Sequence, residues 1–489
     1  GFLGVFVCTL PYLRTVPDGG TLISRRTGLA RHLLDMRIRH GRGGIMSDQQ
    51  GELAAAGVRY MLASYVDMHG VSKAKMVPIG HYAQMMAGSE LFTGAAVDGV
   101  PQAVCDEEVS AHPDAASAKI LPWAPQIAWF ASDLYCEGKP FEAGSRNILQ
   151  RVKARAAALG FGMNLGMEAE FFMLQDTPSG YAPLSTRPHL EKPAYDAARL
   201  LDNRGWITEL VAAMDGLGWD VYSFDHEDGI GQFEIDFNYF DVLTMADNYV
   251  FFRLMAGEIA RQHGGFASFM PKPFADRAGS GAHLNMSLYD AASGANLFKT
   301  DHDPRGCGLS ELGYHFIAGV LAHLPAICAV AAPTVNSYKR LLKHGSQSGI
   351  TWAPVLVCYG NNNRTNTLRI PLAGGRVELR AADAACNPYL AAAMVLAAGL
   401  EGIERRLDPG PPHLTNMWEK TTAQLADEGV AMLPSTLSEA VDAFAADPLS
   451  AAVFGPALYE SWIAYKREEW RQYIDHVSDW EKARYLKFF

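Results

Sequence analysis

Apolar and polar residues alternate from Ala56 to Pro78. VRYMLASYVD runs into a turn at Met68-His69-Gly70, and KAKMVPI follows. A period of two broken by a turn predicts a β-hairpin. Residues 88–145 continue as short apolar runs punctuated by Gly, Pro and Asp, QIAWFASDLY among them. The block 46–145 therefore reads as one small, mostly β domain. At Ser145 the period changes. Ile148, Leu149, Val152, Ala156 and Leu159 recur at helical spacing, and Gly160 supplies a stop. The domain boundary is placed there. From 146 to 489, strand-like runs carrying acidic residues alternate with strongly helical ones. A helix is predicted over Thr244 to Gly264, with Thr244 and Asp247 as a capping box. Asn387-Pro388 opens another, with Asn at the cap and Pro at the first helical position. The stretch 456–487 is aromatic and charged and predicts an amphipathic helix that packs on something, another subunit among the candidates.

Composition narrows the class. The chain has 489 residues, 49% hydrophobic and 19% charged, enough for one large domain or two. Its formal charge of −11 argues against a nucleic-acid partner. Seven cysteines without a C-x-x-C predict a reducing, cytoplasmic setting and no structural zinc. No apolar run is expected to reach the roughly 20 residues of a membrane span, and the first 13 residues lack a basic flank and a cleavage site. Neither a membrane association nor a signal peptide is expected. Residues 1–45 stand apart, with seven arginines against two aspartates, a local charge of +5 that leaves −16 on the rest. Met46-Ser-Asp-Gln-Gln then reads like an ordinary start. The expectation is a disordered or non-native extension, with an Arg-rich docking arm as the alternative.

The candidate chemistry is acidic. Glu168 and Glu170 lie in GMEAEFFML, Glu227 in SFDHEDG, Glu234 in GQFEIDF, His283 in GSGAHLNMSL and Glu378 in GRVELR. Alternation puts Glu168 and Glu170 on one strand face, where two like charges repel unless a cation sits between them. The apolar Phe171, Phe172, Met173 and Leu174 that follow argue against a solvated edge. Asp225 and Glu227 share the same spacing. Glu234 lies beyond the Gly229/Gly231 turn, so a hairpin brings it back to Glu227. His283, Asn285 and Ser287 alternate onto one face as well. Hard cations need several oxygen ligands, so the set points to divalent metal and phosphoryl transfer. Basic residues cluster later: Lys339 and Arg340, Arg364 and Arg369, Arg376 and Arg380. Guanidinium forks suit carboxylates and phosphates. Arg376, Glu378 and Arg380 alternate, which places a carboxylate between two guanidiniums. No P-loop or strand-linked GxGxxG occurs.

Taken in order, GMEAEFF, FMPKPFADRAGSGAHLNMSL, PTVNSYKRL, NNNRTNTLRIP and VELRAADAACNPYLAAA resemble the glutamine synthetase superfamily, from about Ala54 to the C-terminus. The resemblance implies an α+β fold, with a small N-terminal β-grasp domain and a large catalytic domain whose curved antiparallel sheet is surrounded by helices. It implies ATP, L-glutamate, a small amine and magnesium or manganese. It also implies hexameric rings, stacked in pairs as a dodecamer, with sites between subunits. Carried over by motif, Glu170, Glu227 and Glu234 hold one metal, and Glu168, His283 and Glu378 hold the other. Arg340 and Arg380 grip glutamate, with Gly279 near its amino group. Arg364 and Arg369 bind phosphates, and Ser287 and Arg376 lie where the family contacts nucleotide.

The departures concern the amine. Ammonia-using relatives carry an Asp in an FDGSS-like segment, where this chain has LFTGAA with Thr93, and Asp98 is displaced. They also carry a Glu before an Ala-Pro, where this chain has Trp352 at the end of LKHGSQSGITW. Two lost acids and a gained indole suit an alkylammonium, which has fewer N–H donors and a methyl needing apolar contact. The resemblance and its departures imply an ATP-dependent carbon–nitrogen ligase that makes γ-glutamylmethylamide from methylamine. Glutamine synthesis from ammonia is the runner-up. A polyamine or ethanolamine acceptor and a non-catalytic relative rank lower. Asp225, where relatives often have His, is the candidate amine base. Asn285 replaces a His seen in many relatives, a nucleotide-contacting Lys before the Arg-Glu-Arg strand is missing, and Trp418 stands where adenylylated relatives have a Tyr.

Overall fold

The structure is a computed structural model that describes residues 46–185, 192–342 and 353–489. The expectation for residues 1–45 and the Trp352 substitution both lie outside the described residues. Two sheets organise the described chain. The first joins β1 (Tyr60–Val66), β2 (Ser72–Pro78), β3 (Glu90–Phe92), β4 (Val109–Pro113), β5 (Lys119–Leu121), β6 (Ala124–Cys136) and β7 (Lys139–Pro140), along the path β2-β1-β6-β4-β3. The predicted hairpin is β1–β2, paired from Tyr60↔Pro78 to Val66↔Ser72. Strand β6 shows how alternation feeds two cores at once. Ala128 and Phe130 point into a small apolar cluster with Met61, Val77 and Met85. Trp129 and Ala131 point the other way, into the main core. Both faces of this sheet are thus covered, as its near-continuous apolar run requires.

The second sheet is built on the 17-residue strand β8 (Phe161–Thr177). With β9 (Gly180–Pro183), β10 (Val221–His226), β11 (Gln232–Phe237), β12 (Phe240–Asp241), β13 (Phe266–Ser268), β14 (Ala282–Asp290), β15 (Tyr359–Gly360), β16 (Leu368–Arg369) and β17 (Val377–Leu379), it follows the path β10-β11-β8-β14-β17-β16-β15. The expected antiparallel pattern holds along this path except at β15–β16, which is parallel. In the first sheet β1 and β6 are also parallel.

Helices cover the sheet. Ser145–Ala158 begins where the period changed, and Gly160 follows at φ +84°. Asn387 caps Pro388–Arg405, its side chain accepting from the amides of Tyr389 and Leu390. The helix predicted from Thr244 instead spans Val242–Gln262 and is capped by Asp241, which accepts from Leu243. Asp247 is not a capping residue. It is buried one turn further on, holding Arg146 and the Tyr389 hydroxyl. The C-terminal stretch is two helices, Pro456–Asp475 and Asp479–Tyr485, because Ser478 forms a capping box with Glu481 that starts a new one. Among the described residues one helix, Glu311–Ala331, is long and apolar enough to cross a membrane, against the expectation that no apolar run reaches that length. Most of it is buried inside the fold. It crosses Pro388–Arg405 at Gly319 and Gly402, where a Cβ would lie 2.1 Å from the Ala398 and His315 carbonyls respectively. Only glycine permits that approach.

Candidate active site

Strand pairing gathers the acidic residues at one lip of the second sheet. Across β8–β14, Glu168 faces His283. Across β8–β11, Glu170 faces Glu234, and across β10–β11, Asp225 faces Glu234. Across β14–β17, Asn285 faces Glu378, and across β16–β17, Arg369 does. Glu227 closes the β10–β11 turn, its Oε2 accepting from the Asp228 amide at 2.9 Å. The result is two triplets, Glu168–His283–Glu378 and Glu170–Glu227–Glu234. In each, the ligand atoms lie within 4.8 Å of one another. His283 bridges the triplets. Its Nδ1 is 3.1 Å from Glu168 and 3.5 Å from Glu378, and its Nε2 is 3.7 Å from Glu170. Six first-choice ligands separated by up to 210 positions thus meet in one place.

The two triplets differ electrically. Glu168 is held down to about 2: burial opposes its charge, but hydrogen bonds from His283 and Asn285 and the nearby Arg380 prevail. Glu378, fully buried, accepts from Arg380 at 2.5 Å and from Arg369. The other triplet is unrelieved. Burial, then Glu170, pushes Glu227 up to about 8 and Glu234 well above the carboxylate range. Asp225 is raised to about 6 by burial and Glu170, and its buried Oδ1 has no hydrogen-bond partner among the described residues. Such crowding of buried acids is what a divalent cation relieves.

The basic residues are placed less simply than the pattern suggested. Glu378 does lie between two guanidiniums, but they belong to Arg369 and Arg380. Arg376 turns away, because β16 pairs directly with β17 and brings Arg369 opposite the carboxylate. The Arg376 Nε donates instead to Asn285 at 3.0 Å, and Asn285 passes the contact to Glu168 at 2.8 Å. Arg340 is buried and donates to the carbonyls of Ala381 and Arg380, at 3.2 and 3.1 Å. Gly279 lies against it: a Cβ there would be 2.6 Å from the Pro271 carbonyl and 2.7 Å from Arg340 Cγ. Ser287 is buried opposite Asn164, and Arg364 is exposed on the loop before β16. Lys339 is directed elsewhere, over the Tyr473 ring at 5.2 Å. Thr93 stands just before the short turn Gly94–Ala96, with no side-chain bond to it. Asp98 faces His69 at 3.7 Å and Tyr465 at 3.5 Å rather than the acid triplets.

Several residues around the site are not among those marked out from the sequence. Gln232 is fully buried and donates to the Gly279 carbonyl at 3.0 Å, tying the hairpin turn to the Arg340 wall. Asp236 continues the Glu234 face and is raised to about 7 by burial and Glu168. The alternation GQFEIDF already contained that signal. Tyr195 has φ +63° and sits near Glu227, Asp225 and Arg364. Nothing in its local sequence marks it.

A lip of this kind can hold divalent cations beside anionic groups. Comparison with known proteins gives that chemistry a class. Residues 142–485 match the family model described as glutamine synthetase, catalytic domain. A glutamate–methylamine ligase of Methyloversatilis universalis is 42% identical over 444 residues, covering 91% of this chain and 99% of that protein. A glutamine synthetase of Rhizobium leguminosarum bv. phaseoli is 38% identical, covering 87% and 96%. Among solved structures, a GmaS/ADP complex superposes with a TM-score of 0.83 at 38% identity, covering 90% of this chain and all of that one. A glutamine synthase homolog gives 0.72 at 28% identity, covering 88% and 98%. The chain belongs to the glutamine synthetase family. The two named relatives are both carbon–nitrogen ligases.

Proposed function

We propose that this chain is an ATP-dependent ligase that joins the γ-carboxylate of L-glutamate to methylamine, forming γ-glutamylmethylamide through γ-glutamyl phosphate. The observation that carries this reading is the pair of ligand triplets beside buried Arg340 and Arg380. The similarity to a glutamate–methylamine ligase across nine-tenths of the chain supports the choice of amine. So does Thr93, in place of an ammonium-binding acid.

The donor set of five carboxylates and one imidazole fits magnesium or manganese. Glu170, Glu227 and Glu234 would hold one ion and Glu168, His283 and Glu378 the other. When bound, such ions polarise the attacked carboxylate and neutralise phosphate charge. The chain's own residues do the rest. Arg340 and Arg380 bind the glutamate carboxylates, with Gly279 leaving room at the amino group. Arg364 and Arg369 face the charge that develops on the transferring phosphoryl group. Ser287 and Arg376 lie toward the nucleotide. Asp225, with an unengaged oxygen and a raised pKa, accepts the proton that the amine loses as it attacks. We further propose a β-grasp domain over 46–145, a catalytic domain over 146–489 and assembly into hexameric rings.

The test is an amine competition. Purified protein with glutamate, ATP and magnesium should release phosphate faster with methylamine than with ammonium at equal free-base concentration. The opposite order would make this a glutamine synthetase, a reading the 38% identity to such an enzyme keeps in play. No release with either amine would support a non-catalytic relative. Asp225→Asn should depress amide formation more than ATP binding; equal losses would remove Asp225 from the base role.

A further inference from the structure

The loop 361–367 carries Arg364, and its neighbours are fastened to a segment far along the chain. Asn363 Nδ2 donates to the Thr415 carbonyl at 2.6 Å and reaches the His413 carbonyl at 3.4 Å. Asn366, fully buried, donates to the same His413 carbonyl at 2.9 Å. Asn363 Oδ1 accepts from the Thr365 amide and hydroxyl, at 3.1 and 2.7 Å. The Thr365 hydroxyl in turn accepts from the Met417 amide at 3.1 Å. Asn363, Thr365 and Asn366 therefore all hold the 413–417 segment. Asn362, which is exposed, accepts instead from Arg369 at 2.6 Å, on the side of Glu378.

The segment they hold is itself anchored. Met417 is fully buried in a satellite cluster with Val355, Leu356, Cys358, Leu425 and Val430. The His413 amide donates to the Tyr359 carbonyl at 2.8 Å, which straps the segment to β15. Asn416 caps the turn Met417–Glu419. An amide side chain bonded to two main-chain carbonyls fixes backbone, not just side-chain, position.

We propose that Asn363 and Asn366 are positioning residues for Arg364, using the carbonyls of 413–417 as a fixed brace. The proposal rests on the phosphate-facing role given to Arg364 above. Because residues 363, 365 and 366 are pinned, the Cα of Arg364 is set by the brace, and its guanidinium is aimed without reorganisation when phosphoryl charge develops. The expected consequence of removing the clamp is a rate defect with little binding defect.

Asn363→Ala should lower kcat for methylamine-dependent phosphate release roughly ten- to a hundredfold, as a displacement of about 1 Å does at a catalytic group. KM for ATP and glutamate should change by less than about threefold, and the melting temperature should stay close to wild type. In an Arg364→Ala background the same substitution should cost less than about twofold further. A full additional loss in that background, or an unchanged kcat in the single variant, would overturn the proposal. Amide hydrogen exchange separates this outcome from a wrong choice of reaction. In Asn363→Ala, peptides covering 361–368 should exchange faster while 412–418, anchored on its own, changes little, whether or not methylamine proves to be the substrate. No acceleration of 361–368 would refute the clamp, and equal acceleration of 412–418 would refute the fixed brace.

Discussion

A single methyl group placed at Gly279 should disable glutamate binding while leaving the metal lip intact. The built Cβ would sit 2.6 Å from the Pro271 carbonyl, 2.7 Å from Arg340 Cγ and 3.0 Å from Arg340 Cβ. The carbonyl cannot retreat, because it already accepts from the Ser280 amide at 2.8 Å. Gln232 holds the Gly279 carbonyl from the other side. The stem of Arg340 must therefore move, although it is enclosed on all sides. Overpacking of this kind costs about 1–3 kcal/mol of stability. Moving the guanidinium also breaks or stretches its bonds to the Ala381 and Arg380 carbonyls. A hydrogen bond from a charged group contributes about 1.5–3 kcal/mol. If one such interaction with glutamate is lost, KM for glutamate should rise roughly 10- to 150-fold, since about 1.4 kcal/mol is tenfold. KM for ATP should be nearly unchanged. Initial-rate kinetics with each substrate varied, beside a thermal melt, give the answer. An unchanged KM for glutamate in folded Gly279→Ala would refute the placement of Arg340 in the substrate wall.

Arg146→Met should lower the unfolding free energy by about 3–5 kcal/mol, measured in urea, because it strands Asp247, bonded at 3.0 Å and nearly fully buried, with only Tyr389 left. Glu234→Gln should raise the magnesium concentration for half-maximal phosphate release at least tenfold, with a smaller effect on melting; an unchanged titration would remove Glu234 from the ligand set. His323 lies 2.8 Å from Asp447 and 3.3 Å from Glu401. Burial opposes its charge, but the two carboxylates raise its pKa above 6.5. A raised folded pKa stabilises fully below the unfolded value and loses that contribution as pH rises through the folded one. His323→Gln should therefore cost more stability at about pH 6 than at about pH 9; equal costs at both would contradict the ion pairs.

The sheet residues were legible because strand alternation is a local rule. Glu168 and Glu170, or His283 and Asn285, can be assigned a common face from spacing alone. The helix from Ser145 and the Asn387 cap were legible for a similar reason: each signal lies within one turn of the element it starts. What the sequence hid was pairing. Whether Glu378 meets Arg376 or Arg369 depends on which strand lies beside β17, and no pattern within either strand encodes it. The Asp247 error had the same origin. A carboxylate near a helix start looks like a cap until a guanidinium 101 residues away claims it. Tyr195 and the Asn363 clamp depend on loop geometry, where neither period applies.

Because each triplet is assembled by register, the site has a timing as well as a place. Strand β8 must find β14, more than a hundred residues later, and β14 must find β17, almost another hundred on. Closing such loops costs entropy before any contact repays it. A slip of one residue in any of these pairings would turn the ligand face into the core. Half-formed sheets therefore offer a cation scattered acids but no triplet. Tight metal binding would then appear only once the last strand has docked, so during refolding it should report completion of the whole sheet rather than of any part.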